Sequence, residues 1–202
     1  MKKLIISISI LCFSIVSFGQ LELTTDPFST IGGKYSLGVD YCLSENFSVE
    51  LNAGYRLRKR SNILLDYEYE NKGIELNALA KYYFSPQRTA EGFYTGMFFR
   101  FIDRSTSYTD LFDVQQTSES INFSRTKIGV GGLLGFKIVT EKGFICDINL
   151  GVGRAFVNEL TYDSNREDVL DALEIIDFFN TSMILIGEVG IGYRFGNAEK
   201  LN

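Results

Sequence analysis

The sequence contains no histidine, and this absence excludes several kinds of chemistry. Hydrolysis by a Ser/His/Asp triad needs an imidazole as general base, and a His-ligated metal site needs imidazole nitrogens. The carboxylates that remain show no spacing that identifies an acid–base pair. We therefore expect no enzymatic activity, no cofactor and no bound metal.

Long apolar runs are also scarce, because none after residue 20 is long enough for a transmembrane helix. The N-terminus has two lysines at positions 2–3, an apolar run over residues 4–18 and a small residue, Gly19, before Gln20. That run is shorter than the roughly 20 apolar residues of a spanning helix, and no basic stop follows it. The pattern predicts a cleaved secretory signal peptide over residues 1–19 and one domain over residues 20–202.

Acidic residues outnumber basic ones, and the formal net charge is −5. Removal of the leader takes away two lysines and makes the remaining chain more negative. This balance argues against a nucleic-acid partner. Cys42 and Cys146 remain in an exported compartment where disulfides can form. The strand pattern puts them on different faces of non-adjacent strands, so we expect two free thiols.

Proline is nearly absent, with two residues, whereas the chain has 17 Phe, 11 Tyr and 19 Gly, and this composition favours strands. Apolar and polar residues alternate, and successive side chains of a strand point to opposite faces. The alternation predicts strands over residues 35–43, 48–57, 74–84, 93–101, 127–138, 144–153 and 182–195. A weaker first strand, Leu21–Ser29, contains Pro27 and brings the total to eight.

The connections between these strands alternate in length. Short turns near residues 44–46, 85–91 and 140–143 alternate with longer segments near 58–72, 103–122 and 158–178, with a compact link at 31–33. Short periplasmic turns and long outer loops are typical of membrane barrels. The sequence therefore predicts an all-β fold, an eight-stranded antiparallel up-and-down transmembrane β-barrel with both termini in the periplasm.

The same alternation would suit a soluble barrel, so the outward face has to be identified. The apolar face carries no charge across the seven clearer strands, and one Lys or Arg near a bilayer midplane costs about 2–4 kcal/mol. The polar face is rich in glycine, which suits the crowded interior of a narrow barrel. Aromatic residues near the strand ends resemble interfacial girdles. We therefore expect lipid-facing positions at Leu37, Val39, Leu51, Leu76, Phe99, Val130, Leu134, Ile148, Leu150, Val189 and Ile191.

The leader, the alternating strands and the closing Val189-Gly190-Ile191-Gly192-Tyr193-Arg194-Phe195 resemble the small outer-membrane barrels of the OmpA/OmpX type. More narrowly, Leu37-Gly38-Val39-Asp40-Tyr41 and its following hairpin resemble an uncharacterised outer-membrane barrel family common in Bacteroidetes. The resemblance implies a location in the cell outer membrane, contact with outer-membrane lipids and, as we expect, a monomer. It also implies that the barrel-assembly machinery reads a C-terminal signal formed by Val189, Ile191, Tyr193 and Phe195. Seven residues follow Phe195, so this signal is not strictly terminal.

The inward face carries charges of both signs in near balance. They are Asp40, Glu50, Glu75, Asp147 and Glu188 against Arg56, Lys81, Arg100, Lys127, Lys137 and Arg194. Enclosed charges must pair, and an eight-stranded interior is just wide enough for its own side chains, so we expect a lumenal salt-bridge network that closes the barrel. An acidic segment over residues 158–179 has apolar residues at helical spacing between 169 and 176, which predicts a short amphipathic helix at the outer mouth.

Three functions remain open. The leading hypothesis is a non-enzymatic outer-membrane barrel with an envelope-structural or surface-interaction role and a lumen closed by charged and polar side chains. The first alternative is a small passive, porin-like channel for ions or solutes. The second is a soluble periplasmic barrel that binds an apolar ligand inside.

Overall fold

The computed structural model describes residues 20–62, 67–84, 86, 89–110, 120–163 and 182–195. Its elements in chain order are β1 Gln20–Thr25, α1 Pro27–Ile31, β2 Lys34–Cys42, β3 Phe47–Asn62, β4 Tyr67–Tyr83, β5 Gly92–Asp110, β6 Ser120–Val139, β7 Phe144–Asp163 and β8 Met183–Phe195. The predicted leader and the predicted amphipathic helix lie outside the described residues.

The strands form a closed barrel in which each strand pairs with the next in sequence. All neighbouring pairs are antiparallel, and β1 closes the ring against β8 with Leu21 opposite Phe195. This confirms the predicted eight-stranded up-and-down barrel. Within the described ranges, no helix is long and apolar enough to cross a membrane.

The two faces of the wall differ as the alternation predicts. Large apolar side chains lie on the outside, with Leu150 70% exposed and Leu134 66% exposed. Of the predicted lipid-facing residues, Val189 is half-buried and all the others are exposed. The lumenal face carries charged side chains that are buried, among them Asp40, Lys81 and Lys137. The alternative of a soluble barrel required the apolar side chains to face the lumen and the charged ones to face outward, and it does not hold.

The strands are unequal in height. The end that carries the tight turns 43–46, 84–91 and 140–143, together with residues 20 and 195, is called the turn end here, and the opposite end is called the long-strand end. The described parts of segments 58–72 and 103–122, predicted as loops, are strand. The strands β3–β6 continue well past the belt of outward-facing apolar side chains, called the apolar belt here. Beyond that belt both faces of a strand meet water, so the apolar–polar contrast that marks a strand disappears.

The first strand is shorter than predicted, and this correction changes the shape of the wall. β1 ends at Thr25, and Pro27 begins the short helix α1 instead of continuing the strand. Proline suits the first turn of a helix, and the Asp26 side chain caps it by accepting a hydrogen bond from the Ser29 N–H at 3.0 Å. Gly33, with φ of 77°, then turns the chain into β2.

This short first strand leaves part of β8 without a neighbour. The last β1–β8 pair is Thr25 with Ile191, so among the described residues no strand pairs with the β1 side of residues 183–190. The helix α1 lies against β2 and β8 at this position. The segment of β8 over residues 183–190 is called the open edge below.

Candidate functional site in the barrel interior

Two lysines fill the turn-end half of the lumen. Lys81 Nζ lies 2.5 Å from Glu50 Oε2, 2.8 Å from Asp147 Oδ2 and 3.2 Å from Asp40 Oδ2. Lys137 Nζ lies 2.7 Å from Asp40 Oδ2 and 2.8 Å from Glu22 Oε2. The two lysine side chains are 0% and 1% exposed. We call these two lysines with Glu22, Asp40, Glu50 and Asp147 the lysine cluster.

Two tyrosines complete the packing around these lysines. Lys81 Nζ lies 5.2 Å from the ring centroid of Tyr94, and Lys137 Nζ lies 5.3 Å from that of Tyr83. The two rings pack against each other with centroids 5.1 Å apart. Tyr94 also donates its hydroxyl hydrogen to Asp147 Oδ1 at 2.6 Å. Each ammonium group therefore has carboxylates and an aromatic face around it.

The turn between β4 and β5 closes the turn end of the lumen. Ala90 in this turn is fully buried and has a positive φ of 48°. Its N–H donates to the Glu45 carbonyl at 2.8 Å, and its own carbonyl accepts from Arg194 Nη2 at 3.3 Å. Arg194 also donates through Nε to Glu22 Oε1 at 2.7 Å. The turn and the lysine cluster thus form one continuous plug.

One side of the lumen is apolar, whereas the sequence predicted an interior closed by charged and polar side chains. Leu79, Phe98, Leu133, Ile184 and Ile186 are buried together there. The lumenal glycines of β6 and β7 make room for them. A Cβ at Gly131 would lie 2.5 Å from the Phe98 ring, and one at Gly129 would lie 2.5 Å from Ile184 Cδ1.

In the long-strand half, one carboxylate collects several cations. Glu75 pairs with Arg100 at 2.8 Å, with Arg56 at 3.3 Å and with Lys34 at 3.4 Å, and it also pairs with Arg104. Glu188 accepts from Lys34 Nζ at 3.4 Å and from Asn77 Nδ2 at 3.1 Å.

The cations of this half also contact the open edge. Arg100 Nη1 donates to the Leu185 carbonyl at 2.9 Å, and Lys127 Nζ donates to the Met183 carbonyl at 2.9 Å. Odd-numbered residues of β8 turn their backbone groups toward β1, because the even-numbered Ser182 and Arg194 bond on the β7 side. These two side chains therefore satisfy carbonyls that a longer β1 would have satisfied.

The structure places every predicted lumenal charge inside the barrel. Arg56 and Lys127 are half-buried near the long-strand end, and the others are buried. Sequence reasoning missed Glu22, Lys34, Arg104 and Arg125. Glu22 lies in the weakly patterned first strand, Lys34 directly precedes the predicted start of β2, and Arg104 lies in a predicted loop.

Two smaller features bear on chemistry. Cys42 is buried and Cys146 is exposed, so the two thiols lie on opposite faces of the wall as predicted. At the long-strand end, Lys59 on the outer face lies 2.9 Å from Glu70, and its hydrogen bond lowers the pKa of the Glu70 carboxyl. In the part of the chain that the structure describes, no group of three or more potential metal ligands is present.

A closed eight-stranded barrel with apolar side chains outside and paired charges inside defines the class of the protein as a small transmembrane β-barrel. Its fold is similar to that of CarO from Acinetobacter baumannii, with a TM-score of 0.50, 14% identity, and 88% of this chain and 97% of that chain covered. It is equally similar to a major outer membrane protein from Thermus thermophilus, with a TM-score of 0.50, 17% identity, and 88% and 98% covered.

The family model described as protein of unknown function (DUF3575) matches residues 4–175, and the chain belongs to this family. The chain matches no curated protein.

Proposed function

We propose that the protein is a non-enzymatic barrel of the outer membrane whose lumen is closed, with a structural or surface-interaction role in the envelope. The observation that carries this proposal is the lysine cluster, in which Lys81 and Lys137 are buried and each bonds at least two carboxylates. An ion that crossed the lumen would have to displace these contacts and the Ala90 turn below them. Such displacement is costly because it leaves unpaired charge in a region with little water.

Conductance of the mature chain in a planar bilayer tests the closed lumen. We expect no stable single-channel current from protein whose folding has been checked by gel mobility, boiled against unboiled. A stable, sizeable current would favour the alternative of a small passive channel for ions or solutes. In that case Arg100→Gln and Glu188→Gln should change the current, and the outer-face variant Lys59→Gln should leave it unaltered.

The proposed location rests on the apolar outer face and on the fold of the two solved barrels. An aqueous exterior would leave side chains such as Leu150 and Leu134 in water. We place the turn end in the periplasm and the long-strand end outside, following the usual length rule for connections. Recovery of the protein in the outer-membrane fraction would support this location, whereas recovery in the soluble periplasmic fraction would overturn it.

The leader proposal is tested separately. A cleaved signal peptide over residues 1–19 predicts Gln20 as the first residue of the exported protein. Mass spectrometry of membrane-extracted protein should therefore find a chain that begins at Gln20. A chain that retains Met1 in the membrane fraction would contradict the proposed cleavage.

The role that we favour uses the outer end of the wall. The strands β3–β7 rise above the apolar belt there and offer a polar surface of β-structure to the outside. We further propose that the protein is monomeric in outer-membrane lipid and that the assembly machinery recognises Val189, Ile191, Tyr193 and Phe195. Tyr193 and Phe195 are exposed on the outer face of the folded barrel, with ring centroids 5.1 Å apart. Replacing both with Ala should reduce the amount of assembled barrel, and unchanged assembly would contradict the proposal.

A further inference from the structure

A small polar cavity lies in the lumen beside the lysine cluster. It has a volume of about 10 Å³, which is room for roughly one particle of the size of a water molecule. Its lining comes from the end of β1 and from β3, β7 and β8. The cavity can therefore admit a single small ligand and excludes organic molecules.

The lining of this cavity is rich in carboxylates. They are those of Asp26, Glu50, Asp147 and Glu188. None of the described residues that line the cavity is Lys or Arg. Lys81 bonds two of these carboxylates and Lys34 bonds a third, whereas Asp26 accepts from the N–H and the hydroxyl of Ser29. Two ammonium groups therefore face four carboxylates.

The cations further along the lumen do not offset this excess of negative charge, because they have other partners. At the turn end, Lys137 and Arg194 both bond Glu22. In the long-strand half, Glu75 collects the arginines, which are Arg56, Arg100 and Arg104. The cations nearer the mouth bond a backbone carbonyl and an amide side chain. The cavity therefore remains negative after these contacts are counted.

Two buried amide side chains line the same cavity with oxygens that have no donor. The Oδ1 atoms of Asn52 and Asn149 have no hydrogen-bond partner. Asn52 is 8% exposed and Asn149 is 4% exposed, so bulk water scarcely reaches them. A buried acceptor without a donor is unfavourable, and the neighbouring carboxylates accept as well and cannot supply one. A cation in the cavity would satisfy both amide oxygens.

Carboxylate and amide oxygens are the ligands that hard cations prefer. Among the described residues, no three His, Cys, Asp or Glu side chains are grouped as a multivalent metal centre requires. The two amide oxygens and the partly neutralised carboxylates instead suit a single positive charge. We propose that the cavity binds one monovalent metal cation of the sodium type, held by Asn52 Oδ1, Asn149 Oδ1 and adjacent carboxylate oxygens. Such an ion would link β3 and β7 across the lumen.

Cation binding here depends on neither the membrane location nor the surface role proposed above. The test is urea unfolding of the mature protein in lipid vesicles, in chloride salts of sodium and of tetramethylammonium at the same ionic strength. Equal ionic strength keeps the screening of surface charges the same. A ligand that binds only the folded state stabilises it by mass action. The urea midpoint should therefore rise as sodium replaces tetramethylammonium, which is too large for the cavity.

The variants assign the sodium effect to the cavity. Asn149→Leu removes the amide and keeps the approximate size of the side chain. Loss of one ligand to a charged group should raise the sodium concentration that gives half of the midpoint shift by at least about tenfold. Asn71→Leu is the matched control, because Asn71 also has an Oδ1 without a partner but lies outside the cavity. It should keep the sodium dependence of the parent.

Equal midpoints of the parent in the two salts would overturn the cation site, and this comparison needs no variant. A sodium dependence that folded Asn149→Leu retains in full would place the ion elsewhere and would also overturn the proposal. A larger shift with calcium chloride at the same ionic strength would overturn the monovalent assignment. If Asn149→Leu does not fold, Asn52→Leu on the other strand should weaken the sodium dependence in the same way, and an unchanged dependence there would contradict the site.

Discussion

Lys137→Met is the substitution that most directly tests the plug. Methionine keeps an unbranched side chain of similar length and removes the charge. The change deletes the bonds to Glu22 Oε2 at 2.8 Å and to Asp40 Oδ2 at 2.7 Å. Asp40 keeps Lys81 at 3.2 Å, and Glu22 keeps Arg194 at 2.5 Å, so neither carboxylate loses every partner.

The expected loss in the free energy of unfolding follows from these contacts. Removing one partner of a buried ion pair typically costs about 3–5 kcal/mol, and the remaining partners place this variant at the lower end of that range. We therefore expect the free energy of unfolding to fall by about 3 kcal/mol. Adding Asp40→Asn removes the excess negative charge and should recover part of the loss.

The assay is urea unfolding of the mature protein in lipid vesicles, with the folded fraction read from gel mobility. The chain has no tryptophan, so fluorescence would have to rely on tyrosine. Lys59→Met is the control because its side chain is 68% exposed, and it should leave the midpoint unchanged. A loss below about 1 kcal/mol for Lys137→Met, or no recovery with Asp40→Asn, would refute the proposed plug. If Lys137→Met does not fold, Lys137→Arg should restore folding.

Two further predictions concern the two faces of the wall. Gly131→Ala should lower the stability by about 1–3 kcal/mol, because its Cβ would collide with the Val152 carbonyl oxygen and lie 2.5 Å from the Phe98 ring, whereas at the neighbouring Gly132 the nearest atom is 3.9 Å away. Equal urea midpoints for Gly131→Ala and Gly132→Ala would contradict this reading of the glycines. Leu150→Arg on the apolar belt should cost about 2–4 kcal/mol, and Phe156→Arg near the outer rim should cost about 0–1 kcal/mol. Similar losses at both positions would place the membrane boundary elsewhere.

The alternation of apolar and polar residues, with its period of two, made the membrane-spanning part of the fold predictable. Lipid on one side and a crowded lumen on the other select different residues at every second position. The run from Ile74 to Phe84 therefore marks a strand and also identifies its lumenal face. The pattern failed where this contrast is absent, as in β3 beyond Leu57 and in β5 beyond Ile102, where water lies on both sides.

The ion pairs could not be predicted from the pattern, although most of their members could. Parity places Asp40 and Lys137 in the lumen, but they lie on β2 and β6, and only the closed ring brings them within 2.7 Å. The apolar side of the lumen was missed for a different reason. Ile184 and Ile186 alternate with the outward-facing Met183 and Leu185, so this part of β8 is apolar on both faces and shows no contrast.

The cations near the open edge have two separable roles. In a bilayer, backbone carbonyls need hydrogen-bond donors from the protein, so Arg100 and Lys127 are required wherever β1 does not extend. Pro27 is the sequence feature that ends β1 and creates this requirement. Arg104 and Arg125 bond other side chains of the wall. Arg104 pairs with Glu75, which already has three other cations. Arg125 donates to Asn158 through Nε at 3.1 Å and through Nη2 at 2.8 Å. Neither of these contacts is with a carbonyl of the open edge, so substitution of Arg104 or Arg125 leaves the bonds from Arg100 and Lys127 to that edge in place.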